Sequence, residues 1–474
     1  MRIDRLLNMK KALSRKNVWD ATPTYLRRVI GGLVRPVPRA WLLGRHFRAH
    51  QRQAREAQWW PAERAKEYQL RQVQAILALA YEKTAFYRHR FDSMGLRPED
   101  IGDLEQVRQL PTIDKQTVID NLSDMCTKSI RDLDVDFGST GGMSGIPLHF
   151  YLNASRSYVE YAHLTTSWER AGYWLGASVA VLRGRAVRRD RNGLYHEYDP
   201  LLRHHYYSSF HMSDEDVRRY LEHIATVGPC FLHVYPSTVA ALARFLRRSG
   251  RPAPGNIRAI IAESEIVYSD QRQMVEEVFG CQYFSCYGQS EKVVLAAGCE
   301  GSHDYHVWPT YGYFELLDDR GDPVTTPGRR GEIVGTGFIN TVMPFIRYRT
   351  GDWATYVADR CETCGRQHTL LRDIRGHRTQ EVLIASDGSE IPWTAMNMHD
   401  DTFLHVRQFQ FRQDVAGEAV LRIVPAVGFS EKDASRIRQN LKRKLNGQLC
   451  LSIEIVDSIS VSSRGKAVYV DRRI

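Results

Sequence analysis

The chain lacks long hydrophobic runs. Arginine or glycine interrupts every candidate before it reaches the length needed to cross a bilayer, which excludes a helical membrane-spanning protein. No short apolar stretch with a cleavage site follows the start, so a secretory signal is not expected. Cysteine is sparse as well: eight in 474 residues do not make a disulfide framework. No segment is of low complexity, and with 25% charged residues disorder is not expected outside the N-terminus. Apolar residues, by contrast, are plentiful at 43%, enough for a packed core in a chain too long for one ordinary core, so two or more domains are expected.

The formal net charge is +10, and much of the excess falls early. Arg2, Arg5, Lys10, Lys11, Arg15, Lys16, Arg27, Arg28, Arg35, Arg39, Arg45, Arg48, Arg52 and Arg55 interleave with Leu6, Leu7, Val29, Ile30, Leu33, Trp41 and Leu42. Such a basic amphipathic stretch is either a solvated extension packed on the body or an arm that touches an anionic membrane face; nucleic acid is not expected as a partner. The close pair Cys361-Glu362-Thr363-Cys364 points to metal ligation in a reducing compartment, so a cytoplasmic location is expected, with peripheral contact at the inner membrane face through the basic N-terminus as the alternative.

The middle of the chain alternates short apolar runs with helical spacing. Strands are expected at residues 178–182, 230–235, 259–262 and 282–286, and helices at 214–224, 238–248 and 271–279. That alternation predicts parallel sheet covered by helices, with ligands held beyond the carboxyl ends of the strands. Residues 313–317 and 331–335, separated by Asp319-Arg320-Gly321-Asp322, read instead as antiparallel strands with tight turns. In the last hundred residues Ser430 and Asp433 form a capping box, Ala434, Ile437, Leu441 and Leu445 share a helical face, and alternating residues precede and follow it. The fold expected is therefore α/β: a large N-terminal region with parallel sheets flanked by helices plus an antiparallel β subdomain, then a small α+β C-terminal lid. The expected divisions are residues 1–63, a basic helical extension, 64–378, the core, and 379–474, the lid.

Four elements point to a nucleotide. Ser139-Thr140-Gly141-Gly142-Met143-Ser144-Gly145 combines glycines, which let the backbone approach an anion, with hydroxyl side chains. In Tyr287-Gly288-Gln289-Ser290-Glu291 an aromatic ring suits a purine face and a carboxylate suits Mg²⁺, an ion that prefers oxygen ligands. In Tyr348-Arg349-Thr350-Gly351-Asp352 an acid behind a glycine turn is placed to accept ribose hydroxyls. Lys466, after Gly465, is a compact charge near the end of the chain that suits an α-phosphate and an attacking carboxylate. Each is an ordinary turn or surface residue if it stands alone; their order and separation suggest one ATP site that joins a carboxylate to AMP.

On these motifs the chain resembles the AMP-forming adenylate synthetase superfamily, and within it the phenylacetate–CoA ligase-like proteins of the capsular-polysaccharide CapK type. Glu82-Lys83-Thr84-Ala85-Phe86-Tyr87-Arg88, Leu110-Pro111-Thr112-Ile113-Asp114-Lys115 and Ala262-Glu263-Ser264-Glu265 match that family's segments too, so the likeness covers residues 65 to 474. The resemblance implies that Thr140, Gly141, Gly142, Ser144 and Gly145 hold phosphates, that Ser264 and Glu265 line the adenine side with Tyr287, Gly288 and Ser290, that Glu291 binds Mg²⁺ and Asp352 the ribose, and that Lys466 promotes adenylate formation. Met143 and Leu148 depart from the pattern. The hinge stretch 374–380 lacks paired aspartates, and Arg375 and Arg378 are the alternatives for the ribose-binding arginine.

The resemblance further implies that Cys361 and Cys364 join Cys299 and a histidine, His306 before His303 or His368, in a structural Zn²⁺ site. It implies ATP-dependent activation of a carboxylic acid as acyl-AMP, then transfer to an amine, hydroxyl or CoA thiol in surface-polysaccharide synthesis. An adenylyltransferase that leaves AMP on its substrate, and a non-catalytic membrane- or nucleic-acid-binding relative, are the alternatives.

Overall fold

A computed structural model of the chain describes residues 19, 22–140, 146–376, 381–398, 400–459 and 469–474. Gly141, Gly142, Met143, Ser144, Gly145, Arg378, Gly465 and Lys466 lie outside the described residues. The chain divides into two compact units. One comprises Met1–Gly138, His149–Leu175 and Cys286–His377; the other comprises Ser139–Leu148, Gly176–Ser285 and Arg378–Ile474.

The first unit is antiparallel. Its strands follow the order Gly312–Leu317, Arg330–Gly337, Tyr348–Ala358, Leu370–Arg375, Tyr305–Val307, Leu295–Gly298 and the end of Gln282–Gly288. The register of Arg330–Gly337 against Tyr348–Ala358 shifts between Glu332 and Val334, which face Trp353 and Arg349. Residues 350–352 are thereby thrown out of the ladder, the usual effect of a bulge, and Gly351 takes up the turn at φ 74°. The helix Gly44–Ala57, part of the basic N-terminal stretch, buries Phe47, Ala54 and Ala57 completely in this unit. Its arginines stay on the outer face, so sequence charge and apolar content are sorted by helical periodicity.

A buried ion pair ties the start of the motif strand to the strand Gly312–Leu317 and to the loop at residues 108–110. Arg347, whose side chain is 7% exposed, donates to both oxygens of Glu315, 3% exposed, at 2.9 Å each, and also to the carbonyls of Arg108 and Leu110. Removing one member of such a pair leaves a buried charge without its counter-ion. Glu315→Gln is therefore expected to destabilise the protein by about 3–5 kcal/mol, read as a lowered denaturant midpoint at unchanged slope; a midpoint equal to the wild type would show that the pair contributes nothing.

The second unit holds the parallel sheet. Ile257–Glu263, Cys230–Val234, Ser178–Leu182 and His204–Tyr207 run parallel in that order, and His196–Asp199 closes the edge antiparallel to His204–Tyr207. The expected strands and helices are present within a few residues of their expected ends. Pro236 opens the helix Pro236–Ser249, where its missing N–H costs nothing. The helix Glu431–Leu445 starts at the Ser430–Asp433 capping box and packs Ala434, Ile437, Leu441 and Leu445 on the sheet Cys450–Ile455, Glu418–Pro425, Val406–Val415 and Val470–Arg472. The last of these strands, only three residues long and parallel to Val406–Val415, has no periodic signal in the sequence. Phe210 and Tyr235 share one apolar cluster with Leu383, Trp393, Met396 and Phe409, so residues 176–285 and the C-terminal portion meet through a common core.

Candidate functional site

In the first unit the two aromatic–acid motifs meet. Tyr287 ends the strand Gln282–Gly288, and its hydroxyl donates to Asp352 Oδ2 at 2.9 Å across 65 residues of sequence. Gln289 Nε2 donates to the same hydroxyl at 2.6 Å, and Gln289 Oε1 accepts from the Val294 amide at 3.1 Å. Asp352 is fixed from its own backbone: its amide donates to Thr350 Oγ1 at 3.1 Å, and that hydroxyl donates to the Ile333 carbonyl at 2.8 Å. Burial and the Asp352 carboxylate push the Tyr287 phenol far above its ordinary range, so it stays a donor.

A second link lies beside the first. Tyr348, 57 residues on, donates to Glu291 Oε1 at 3.1 Å, and both residues are buried. Ser290 sits in the turn between them and Gly288, closed by the Lys292 amide donating to the Gln289 carbonyl at 3.2 Å. Arg375 ends the strand Leu370–Arg375 opposite Trp353, the neighbour of Asp352. Thus Tyr287, Ser290, Glu291, Asp352 and Arg375 are all carried by one unit.

The second unit places Ser264 and Glu265 at the carboxyl ends of three aligned parallel strands, where Leu182, Val234 and Ala262 stand in register. Ser264 has φ 72°, a left-handed backbone that a residue other than glycine rarely adopts and that clusters at functional positions. Its hydroxyl receives Arg183 Nη2 at 2.5 Å, while Arg183 Nη1 donates to Glu263 Oε2 at 3.0 Å. The guanidinium lies 5.4 Å from the Tyr235 ring centre, and His233 Nε2 is 3.1 Å from the same Glu263 oxygen. Burial, and then Arg183, lower the His233 pKa, and Arg183 Nη1 donates to the same His233 Nε2, so one guanidinium nitrogen is shared between the imidazole and the Glu263 carboxylate. Glu265 has a different occupation: it accepts from the Ser237 amide at 2.8 Å at the start of the helix Pro236–Ser249, and from the Thr394 hydroxyl. Arg183 is the residue that sequence reasoning passed over. Its signal was its position, immediately after a buried parallel strand and before a glycine.

A separate cluster in the first unit joins Cys299, His306, Cys361 and Cys364, whose ligand atoms all lie within 4.8 Å of one another. Cys299 Sγ is 3.8 Å from Cys361 Sγ, and Cys364 Sγ is 3.5 Å from His306 Nε2. Tetrahedral zinc with sulfur at about 2.3 Å and nitrogen at about 2.0 Å requires separations of roughly 3.8 and 3.5 Å. The Gly301 amide points at Cys299 Sγ at 3.5 Å, and Gly365 closes the Cys361–Cys364 turn at φ 80°. Burial pushes the Cys299 thiol up to about 11, so a thiolate there needs a cation directly on the sulfur. Burial, with Arg170 second, lowers His306 to about 2, leaving the neutral imidazole that a metal takes, and its Nδ1 has no hydrogen-bond partner among the described residues. His368 is occupied elsewhere, against the Ala57 carbonyl at 3.2 Å.

Two buried guanidiniums border this cluster. Arg170 and Arg366 share the Gln58 side-chain carbonyl at 3.0 and 3.2 Å, and Arg366 also pairs with Glu300 at 2.7 Å. Buried cations require anions nearby. A metal with three thiolates and one imidazole carries a net negative charge and meets that requirement. The basic stretch before residue 63 therefore supplies Gln58 and Ala57 to the surroundings of the cysteines.

A family profile described as the CapK C-terminal domain matches residues 383–473. The chain is 25% identical over 336 residues to phenylacetate–coenzyme A ligase of Thermus thermophilus, covering 69% of this chain and 74% of that one. It is 25% identical over 249 residues to protein CapK of Staphylococcus aureus, covering 52% and 53%. A solved 2-hydroxyisobutyryl-CoA ligase, in an open conformation with 2-HIB-AMP and CoA, shares the fold at a TM-score of 0.56 and 19% identity, over 87% of this chain and 93% of that chain. The fold and these relatives define an AMP-forming ligase. More narrowly, the chain is similar to the phenylacetate–CoA ligases and, over residues 383–473, to the C-terminal domain of CapK.

Proposed function

We propose that the protein uses ATP to convert a carboxylic acid to its acyl-adenylate and then passes the acyl group to an acceptor. The observation that carries this reading is the Tyr287–Asp352 hydrogen bond, which brings two motifs far apart in sequence to one place. In the reaction a carboxylate oxygen attacks the α-phosphorus, a P–O bond to AMP forms, and the bond to pyrophosphate breaks. Asp352 accepts the ribose hydroxyls and Tyr287 lies along the base, with Thr140, Gly141, Gly142, Ser144 and Gly145 round the phosphates. Arg375 or Arg378 assists at the ribose. Bound at Glu291, Mg²⁺ supplies charge neutralisation to the phosphate oxygens. Lys466 bridges the α-phosphate and the incoming carboxylate, which aligns the two anions and offsets their repulsion.

The acceptor is a CoA thiol or, by likeness to CapK, an amine or hydroxyl on a surface-polysaccharide precursor. The four residues of the Cys/His cluster would hold a structural Zn²⁺, and a three-thiolate, one-imidazole set would leave no position open to substrate. Among the described residues no helix is long and apolar enough to cross a membrane. The exposed Val29, Leu33 and Trp41, set among Arg35, Arg39 and Arg45, are the feature that a peripheral contact with an anionic membrane would use.

ATP–pyrophosphate exchange across a panel of carboxylic acids tests activation. Exchange is expected to depend on one class of acid and on Mg²⁺. ATP binding with no exchange for any acid would overturn the reading, and a product heavier than its substrate by AMP would favour an adenylyltransferase.

A further inference from the structure

The edge of the parallel sheet carries a cluster of histidines that the ligase reaction does not use. His196 lies on the edge strand His196–Asp199, His205 on its neighbour His204–Tyr207, and His223 on the helix Asp214–Thr226 that packs against them. In the antiparallel register His196 faces Tyr207 and Tyr198 faces His205, so both histidines share one side of the sheet with Tyr207. The helix brings His223 to the same side, its ring centre 4.4 Å from that of His196 and 6.1 Å from that of His205. One ring nitrogen from each residue lies within 4.8 Å of the other two.

We propose that His196, His205 and His223 bind a divalent transition-metal ion of borderline softness, such as Zn²⁺, Ni²⁺ or Cu²⁺, in a site separate from the cysteine cluster. Three observations carry this. His196 Nε2 and His205 Nδ1 are 3.1 Å apart, close to the roughly 3.3 Å that two nitrogens at about 2.0 Å from one tetrahedral metal require. All three residues are only half-buried, so an ion and a water ligand have access. The buried Tyr207 hydroxyl lies 2.7 Å from His223 Nδ1, which fixes the ring and leaves Nε2 as the nitrogen to ligate, the arrangement outer-shell partners give to metal-bound histidines.

Imidazole nitrogens with no carboxylate among the ligands disfavour Mg²⁺ and Ca²⁺ and select first-row transition metals. Of the charged groups, the Asp190 carboxylate acts electrostatically on His223 and the Arg203 guanidinium on His205. On binding, the proton shared by His196 and His205 moves to a far ring nitrogen, so all three residues remain neutral and no oxidant is needed. The ion clasps the edge strands to the helix and keeps a position for solvent.

Co²⁺ titration of the metal-stripped full chain tests this, followed by absorption and by metal count. The expected result is one equivalent without sulfur-to-metal charge transfer, beyond any equivalent that shows it. His223→Gln is expected to weaken this equivalent more than 100-fold and Tyr207→Phe about 10- to 100-fold, with the charge-transfer band unchanged in both. Absence of the sulfur-free equivalent in the wild type would overturn the proposal. So would unchanged affinity in a His205→Gln/His223→Gln double variant that keeps the wild-type circular dichroism, because the 3.1 Å contact would then be only an imidazole–imidazole hydrogen bond.

Discussion

Asp352→Ala is expected to lower kcat/KM for ATP in pyrophosphate exchange by about 10²–10⁴-fold, the loss of two hydrogen bonds to a charged acceptor at about 1.5–3 kcal/mol each. The side chain is prepared for that task. Its position is set by the bulge opposite Glu332 and Val334, by the glycine turn at Gly351, and by the Thr350 hydroxyl, which holds the Asp352 amide. The Tyr287 hydroxyl meets one carboxylate oxygen and orients it. Tyr287→Phe keeps the ring and removes only this orienting contact, so a smaller loss of about tenfold is expected from a single hydrogen bond. Exchange at the wild-type rate in Asp352→Ala would remove this residue from the nucleotide site and, with it, the observation on which the ligase reading stands.

The second large effect concerns the cysteine cluster. The purified protein is expected to hold one zinc per chain at this cluster, and Cys361→Ser to lose it together with a marked fall in melting temperature. Structural zinc contributes about 10–16 kcal/mol in small domains, as much as the whole stability of an ordinary domain, so even a fraction is decisive. The reason is visible in the surroundings. Without the metal, Cys299 keeps its proton, Arg366 is left with Glu300 alone as a paired anion, and Arg170 is left on the neutral Gln58 carbonyl. Burial, and then Arg366, already lower Arg170 to about 10, a measure of how costly its charge is there. Gln58 links both arginines to the N-terminal stretch, so loss of zinc is expected to expose residues 44–63 to proteolysis before the rest of the unit. Unchanged melting in Cys361→Ser, with no zinc in the wild type, would reduce the cluster to packed free thiols.

Much of the secondary structure was legible because it depends on local physics. Ser178–Leu182 is a run of buried apolar residues, Pro236 and the Ser430–Asp433 box mark helix starts, and the periodicity of Ala434, Ile437, Leu441 and Leu445 defines a face. Cys361 and Cys364 announce themselves by spacing. Their partners do not. Cys299 and His306 come from a loop and a strand of different sequence neighbourhoods, and what delivers them is the pairing of Tyr305–Val307 with Leu295–Gly298 on one side and Leu370–Arg375 on the other. Glu265 shows the converse. In a motif it reads as part of a nucleotide pocket, and here its carboxylate holds the first turn of the helix Pro236–Ser249, a use no linear pattern encodes.

Residue order alone determined which types of chemistry this protein holds and which strands and helices carry them, because hydrophobic period, glycine turns and capping residues act over a few positions. Only the tertiary structure decided the meetings: Tyr287 with Asp352, Arg183 with Ser264, and three histidines at one sheet edge. Those depend on strand register and on a bulge, where a shift of one residue would turn every side chain to the other face.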